Sequence, residues 1–256
     1  MAFDKFIDKL SKRLSRKNLV FIIVFLSIGI LTIIGAYVER KEMTGASVDD
    51  VSATTSSIPQ ETAPLVVIDP GHGGWEPGAG NGKINEKDVV LDISLRIESI
   101  LAQKKIDYYM IRTDDTFVSL EDRARIANEK KARLFISIHN NSFTDRSQSG
   151  ILTTYNPNSP IGKDIAKIMQ DKIKDMGMRD RAIMPRPNLY VLRHTEMPSL
   201  LLEVGFISNK KDLKLLTDAD FQQKCAQQIV SGIEDILVKY VPEAKITAGE
   251  GNSEED

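Results

Sequence analysis

A single cysteine, Cys225, stands in a chain of 256 residues, and one thiol can build neither an intrachain disulfide framework nor a cysteine-cluster zinc site. Its expected helical neighbours Phe221 and Ile229, four residues to either side, make it a buried packing residue. A surplus of either charge is also missing. The 34 Lys and Arg against 36 Asp and Glu leave a net charge of −2, so no basic field draws the chain to nucleic acid. No internal repeat is visible, and the three histidines contain no compact zinc motif such as H-E-x-x-H. Any metal or catalytic centre must therefore be assembled from residues distant in sequence.

One long apolar run is present. Residues 1–18 carry Lys5, Lys9, Lys12, Arg13, Arg16 and Lys17 against Asp4 and Asp8, and LVFIIVFLSIGILTIIGAYV follows at 19–38 without a charge. Such a run is long enough to span a bilayer, and its basic flank stays cytoplasmic, which places everything after residue 38 outside. Gly35, Ala36 and the stretch Gly45-Ala46-Ser47 leave cleavage as a signal sequence, and hence secretion, as the alternative. Residues 39–63, rich in Ser, Thr and Ala, read as a flexible linker. Residues 242–256 read as an acidic disordered tail.

Between them, 64–241 alternates short apolar runs with helical periods. PLVVID (64–69), DYYMIR (107–112), RLFISIH (133–139), GILTTY (150–155), LYVLR (189–193) and SLLLEVG (199–205) are expected strands. Asn85 can cap a helix over 86–104 with Val89, Ile93, Ile97, Ile100 and Leu101 on one face. Ser119 opens S-x-x-D before a helix in which Leu120, Arg123 and Ala127 share a face. Further helices fit 159–176 and 218–240. The pattern predicts a single α/β domain with a mostly parallel central sheet flanked by helices.

In such folds ligands gather at the carboxyl ends of strands, and unusual polar residues fall there. His72 lies in the glycine-rich turn DPGHGG after the first strand. His139 ends RLFISIH, and Glu203 interrupts LLLEVG, where a carboxylate is costly to bury unless paired or used. Glu86 begins the helix after the turn. Two imidazoles and one carboxylate form a known ligand set for catalytic zinc with one position left for water, and a second carboxylate can serve as proton acceptor. Pro70 fixes one backbone angle, while Gly71, Gly73 and Gly74 permit positive φ and keep side chains away from His72.

The strings VVIDPGHGGWEPGAG, NEKDVVLDISLRI, RTDDTFVSLEDRARIAN, LFISIHNNS and MPSLLLEVGFISN, in that order, resemble the motifs of the zinc-dependent N-acetylmuramoyl-L-alanine amidases of the Amidase_3 family. The resemblance covers nearly all of 64–241. It implies zinc held by His72, Glu86 and His139, with Glu203 as the catalytic carboxylate. It also implies a fold similar to the zinc exopeptidases and hydrolysis of the amide between N-acetylmuramic acid and L-alanine in peptidoglycan. Glu76 is a departure, since the family often has Asp there. A short anchor with a bare catalytic domain also resembles the amidases used in sporulation and germination to modify spore cortex. About ten residues between Asn141 and the next strand leave no room for the inhibitory helical insertion of some relatives. A protein activator is left open, as are two other classes of function: another zinc peptidoglycan peptidase, and a non-catalytic wall-binding module.

The other polar residues have blander readings. Asn141 matches the S-I-H-x-N position and is a candidate substrate contact. His194 falls outside the ligand motifs. Arg123 is expected in a buried structural pair rather than on substrate. Trp75 suits stacking on a sugar as well as ordinary packing.

Overall fold

The structure is a computed structural model that describes residues 66–241. The basic segment 1–18, the apolar run 19–38, the linker 39–63 and the acidic tail 242–256 lie outside the described residues. Among the described residues no helix is long and apolar enough to cross a membrane.

In chain order the elements are β1 (Val66–Pro70), β2 (Gly80–Asn81), β3 (Ile84–Asn85), α1 (Glu86–Gln103), β4 (Tyr108–Met110), α2 (Leu120–Glu129) and β5 (Leu134–Asn141). They continue with β6 (Ile151–Tyr155), α3 (Gly162–Ile173), β7 (Asp180–Pro185), α4 (Tyr190–His194), β8 (Ser199–Phe206), α5 (Lys210–Leu216) and α6 (Ala219–Tyr240). Six strands form one sheet in the order β4-β1-β5-β8-β6-β7. The first four are mutually parallel, β6 runs antiparallel to β8, and β7 follows β6 in parallel.

The continuous apolar runs of β1, β5 and β8 follow from burial on both faces. Strand alternation sends Val66, Ile68, Ile136, Ile138, Leu200 and Leu202 to one side, where α1, α3 and α6 cover them. Val67, Phe135 and Leu201 go to the other, packed with Ala127 of α2 and with Val191 and Leu192 of α4. Each such side chain contributes about 1.5–3 kcal/mol on full burial. Cys225 is fully buried beside Ile229 on the α6 face, as its spacing predicts, and burial pushes its thiol up to about 12.

Two helix starts illustrate local coding. Ser119 Oγ accepts the Asp122 N–H at 3.1 Å and donates to Asp122 Oδ2 at 2.9 Å, the reciprocal cap the sequence predicts. Arg123 and Ala127 of that helix are buried, but Leu120 is 50% exposed. Asn85 precedes α1 without a side-chain cap; its amide reaches Asp88 Oδ2 at 3.3 Å instead.

One expected strand is a helix. LYVLR forms α4, in which a single turn buries Val191 and Leu192 together, stacks Tyr190 on His194 and lets Thr195 Oγ1 donate to the Val191 carbonyl at 2.8 Å. A run of five has no period that separates strand from turn, so tertiary packing decided. The edge strand β7 was not expected: Arg181, Met184 and Pro185 mask it in sequence, and Ala182 takes φ 58° where its register against β6 shifts. The short α5, capped by the Asn209 side chain, was likewise not expected.

Candidate active site

Strand register builds the centre of the site. Asp69 of β1 stands opposite Ser137 of β5, and two residues further along β5 His139 stands opposite Glu203 of β8. His139 and Glu203 therefore share the face that carries Phe135 and Leu201. His72 approaches from the turn after β1 and Glu86 from the first position of α1, where the helix dipole favours a carboxylate.

Glu86 is buried and joins the two imidazoles. Its Oε1 lies 2.9 Å from His139 Nδ1 and 3.1 Å from His72 Nε2, and also accepts the Asn140 backbone N–H at 3.0 Å. Its Oε2 accepts the Ala79 N–H at 2.9 Å. The rings of His72 and His139 meet edge to face with centroids 4.9 Å apart. Burial works to raise the Glu86 carboxyl, but the hydrogen bonds and fields of His139 and His72 outweigh it and hold it far below the usual carboxylate range. Burial likewise works to lower the His139 imidazole, and its contact with Glu86 more than reverses the effect, leaving it raised.

Among the described residues, His72, Glu86 and His139 are the group able to hold a metal ion, with one donor atom from each within 4.8 Å of the others. Donors bonded at about 2.0–2.1 Å in a tetrahedron lie about 3.3 Å apart, close to the two imidazole–carboxylate separations of 2.9 and 3.1 Å. Ligation requires both imidazoles neutral, so metal binding is coupled to proton release. The donor set fits.

Glycines shape the walls of this cluster. A Cβ on Gly71 would stand 2.3 Å from the His139 ring, and one on Gly78 would meet His72 Cδ2 at 2.6 Å and Glu86 Oε2 at 2.7 Å. Gly71 thus serves close approach rather than positive φ, which corrects the expectation for that position. Gly73 (φ 128°) and Gly74 (φ 58°) do take positive φ as expected, and His72 itself joins them at φ 58°, a costly state for a residue with a Cβ.

Two buried arginines hold that turn. Arg123 pairs with Asp69 at 2.5 Å and donates to the carbonyls of Pro70 at 2.7 Å and His72 at 2.6 Å. Asp69 also accepts from Ser137 Oγ at 2.7 Å. Arg112 donates to the carbonyls of Pro70, Gly71, Lys87 and Asp114. Arg123 is the buried structural partner its sequence position implies, and removing one partner of such a pair generally costs about 3–5 kcal/mol. The roles of Arg112, Gly78 and the Asn140 N–H were not legible; only the arginine at the end of the DYYMIR run hinted at one of them.

Glu203 is held differently. It is partly exposed, and its Oε2 is buried without a hydrogen-bond partner among the described residues. Burial raises its carboxyl, with the charge of Glu86 adding and His139, Arg186 and His72 opposing. Asn141, the expected substrate contact, ends β5 with its side-chain oxygen accepting the Ser142 N–H at 2.8 Å. His194 is not in the cluster; its ring stacks on Tyr190 and Nδ1 contacts the Tyr190 carbonyl at 2.9 Å. A cavity of about 130 Å³ adjoins the cluster, lined by His72, Glu76, Leu120, His139, Tyr190 and Leu201 among others.

A mostly parallel sheet whose strand ends bring two imidazoles and two carboxylates together, beside a cavity, is the arrangement of a metal-dependent hydrolase class, with His72, Glu86 and His139 as the candidate metal centre. Residues 66–235 match the Amidase_3 family, N-acetylmuramoyl-L-alanine amidase, and the chain belongs to that family. The germination-specific N-acetylmuramoyl-L-alanine amidase of Bacillus subtilis (strain 168) is 30% identical over 184 residues, covering 66% of this chain and 78% of that protein. The catalytic domain of CwlV, an amidase from Bacillus (Paenibacillus) polymyxa var. colistinus, is 40% identical with a TM-score of 0.65, covering 68% of this chain and 98% of that one. The CwlD amidase of Clostridioides difficile, solved in complex with the GerS lipoprotein, is 31% identical at the same TM-score and the same coverage. The protein is accordingly an amidase of this class, a hydrolase of peptidoglycan.

Proposed function

We propose that the amidase is zinc-dependent, with His72, Glu86 and His139 as ligands and Glu203 as the proton acceptor. The observation that carries this reading is the convergence of the three donors on one point, with Glu203 in register beside His139. Zinc supplies Lewis acidity at the scissile carbonyl and makes water reactive near neutral pH. The chain's own residues do the rest. Arg123 and Arg112 hold the turn so that His72 keeps its strained conformation. The N–H groups of Ala79 and Asn140 fix the Glu86 carboxylate. Glu203, whose Oε2 has no hydrogen-bond partner among the described residues, takes a proton from the attacking water and returns it to the leaving L-alanine nitrogen. Asn141 remains a proposed substrate contact at the end of β5.

A chelator should abolish release of muramoyl-linked stem peptides from peptidoglycan, and added zinc should restore it; mass spectrometry of the products reads the bond that is cut. Active protein without a stoichiometric transition metal would sink the zinc assignment. Peptide release that leaves the muramoyl amide intact would point instead to a peptidase.

We also propose that residues 19–38 anchor the protein with its catalytic unit outside the cytoplasm. Protease added to intact protoplasts should digest 66–241, and protection of that unit would reverse the topology. The germination-specific relative supports a role in spore cortex modification, and the lipoprotein-bound CwlD supports a lipoprotein as a binding partner. Comparing muropeptides from spores and from vegetative walls of a strain lacking the protein decides between cortex and wall turnover.

A further inference from the structure

Trp75 is the chain's only tryptophan, it lies three residues from His72, and it is 76% exposed. At that exposure the indole is not a core residue, and its packing is against Phe117 at the surface. It does not arise from a loose loop. Gly73 and Glu76 exchange two backbone hydrogen bonds of 3.1 Å across the turn. The Gly74 N–H donates to Asp115 Oδ1 at 2.8 Å, and Lys87 Nζ donates to the Gly74 carbonyl at 2.8 Å and to Asp115 Oδ2 at 2.6 Å. The turn is thus pinned from both sides while it holds the largest apolar side chain in water. The indole leans on Phe117, with centroids 4.4 Å apart and planes 34° from parallel.

We propose that Trp75, backed by Phe117, is a platform on which a pyranose ring of the glycan strand stacks. This rests on the amidase reading of the site: the scissile amide hangs from the lactyl group of a sugar, so a sugar ring must lie close to His72. A fixed aromatic face offers the apolar C–H face of a pyranose a large contact at little cost in conformational entropy. Hydroxyl and acetamido groups need partners at the rim, and Asp115 supplies them. A carboxylate accepts at about four positions, and two of those of Asp115 are taken by Gly74 and Lys87. The same exposed carboxylate, with Asp114 beside it in sequence, makes the platform a poor surface for anionic lipid.

Because Trp75 is the sole indole, intrinsic fluorescence of the zinc-loaded full chain reports on this platform alone. Titration with a β-1,4-linked N-acetylglucosamine tetramer, which has no lactyl group and so lacks the scissile lactyl–L-alanine amide, should give a saturable emission change and shield the indole from acrylamide. Trp75→Ala should weaken retention on peptide-free glycan strands and raise KM on polymeric peptidoglycan by about five- to tenfold. Trp75→Phe should recover part of both losses, and an unchanged thermal midpoint shows that Trp75→Ala is folded. No saturable emission change, together with unaltered retention of Trp75→Ala, overturns the platform while continued release of stem peptides leaves the amidase reading standing. Tetramer binding without any stem-peptide release supports the sugar site and counts against the amidase reading instead. Emission that responds to phosphatidylglycerol vesicles and not to the sugar also overturns the proposal, in favour of a membrane contact.

Discussion

Glu203→Gln is expected to lower turnover at least about a hundredfold while zinc content, fold and substrate affinity are retained. The reason is the contrast between two carboxylates in one site. Glu86 is tied by two imidazoles and two backbone N–H groups. Glu203 has a buried oxygen with no partner among the described residues, and burial raises its affinity for a proton. The first is built to stay charged and fixed, the second to exchange a proton. Glutamine keeps the shape of Glu203 and removes its charge and its basicity. Zinc content, thermal unfolding and release of stem peptides on the same preparation test the assignment together. A folded Glu203→Gln protein without zinc would make Glu203 a ligand, and near-normal turnover would remove it from the mechanism.

Glu86→Ala should cost both metal and activity. Truncation removes one of three donors and leaves the N–H groups of Ala79 and Asn140 unpaired, at about 1–3 kcal/mol for each buried group. Loss of outer-shell support alone weakens metal binding by about 10–100-fold, and loss of a direct ligand should exceed that range. The measurement is a zinc titration against a competing chelator, with thermal unfolding of the metal-free protein to separate a lost ligand from a lost fold. Glu86→Gln is the control, since its shape can preserve contacts that alanine deletes. Zinc retained at parental affinity by a folded Glu86→Ala protein would move the carboxylate ligand elsewhere.

The site residues were legible because each is anomalous where it stands. A histidine among three glycines, a histidine closing an apolar strand and a glutamate inside LLLEVG all break the local pattern, and each lies at or near the carboxyl end of a strand. Glu86 was marked only by following the glycine turn, and its role came from the resemblance. The frame around the four was less visible. Arg112 and Asn140 look like ordinary polar residues, because what they do depends on which carbonyls and carboxylates the fold carries to them. LYVLR was misread for a related reason: its apolar side chains suit strand and turn alike.

By itself the sequence determined the alternation of strands and helices, the cap at Ser119, the burial of Cys225 and the choice of His72, Glu86, His139 and Glu203 as the candidate side chains, because these depend on side-chain chemistry and short-range spacing. Only the tertiary structure decided that α4 is a turn of helix, that β6 and β7 reverse the sheet, and that His72 takes the left-handed conformation. It alone decided that Glu86 lies between both imidazoles while Glu203 keeps an oxygen without a hydrogen-bond partner among the described residues, since those relations are set by strand register and by close packing, which carries His139 to Glu86 across 53 positions.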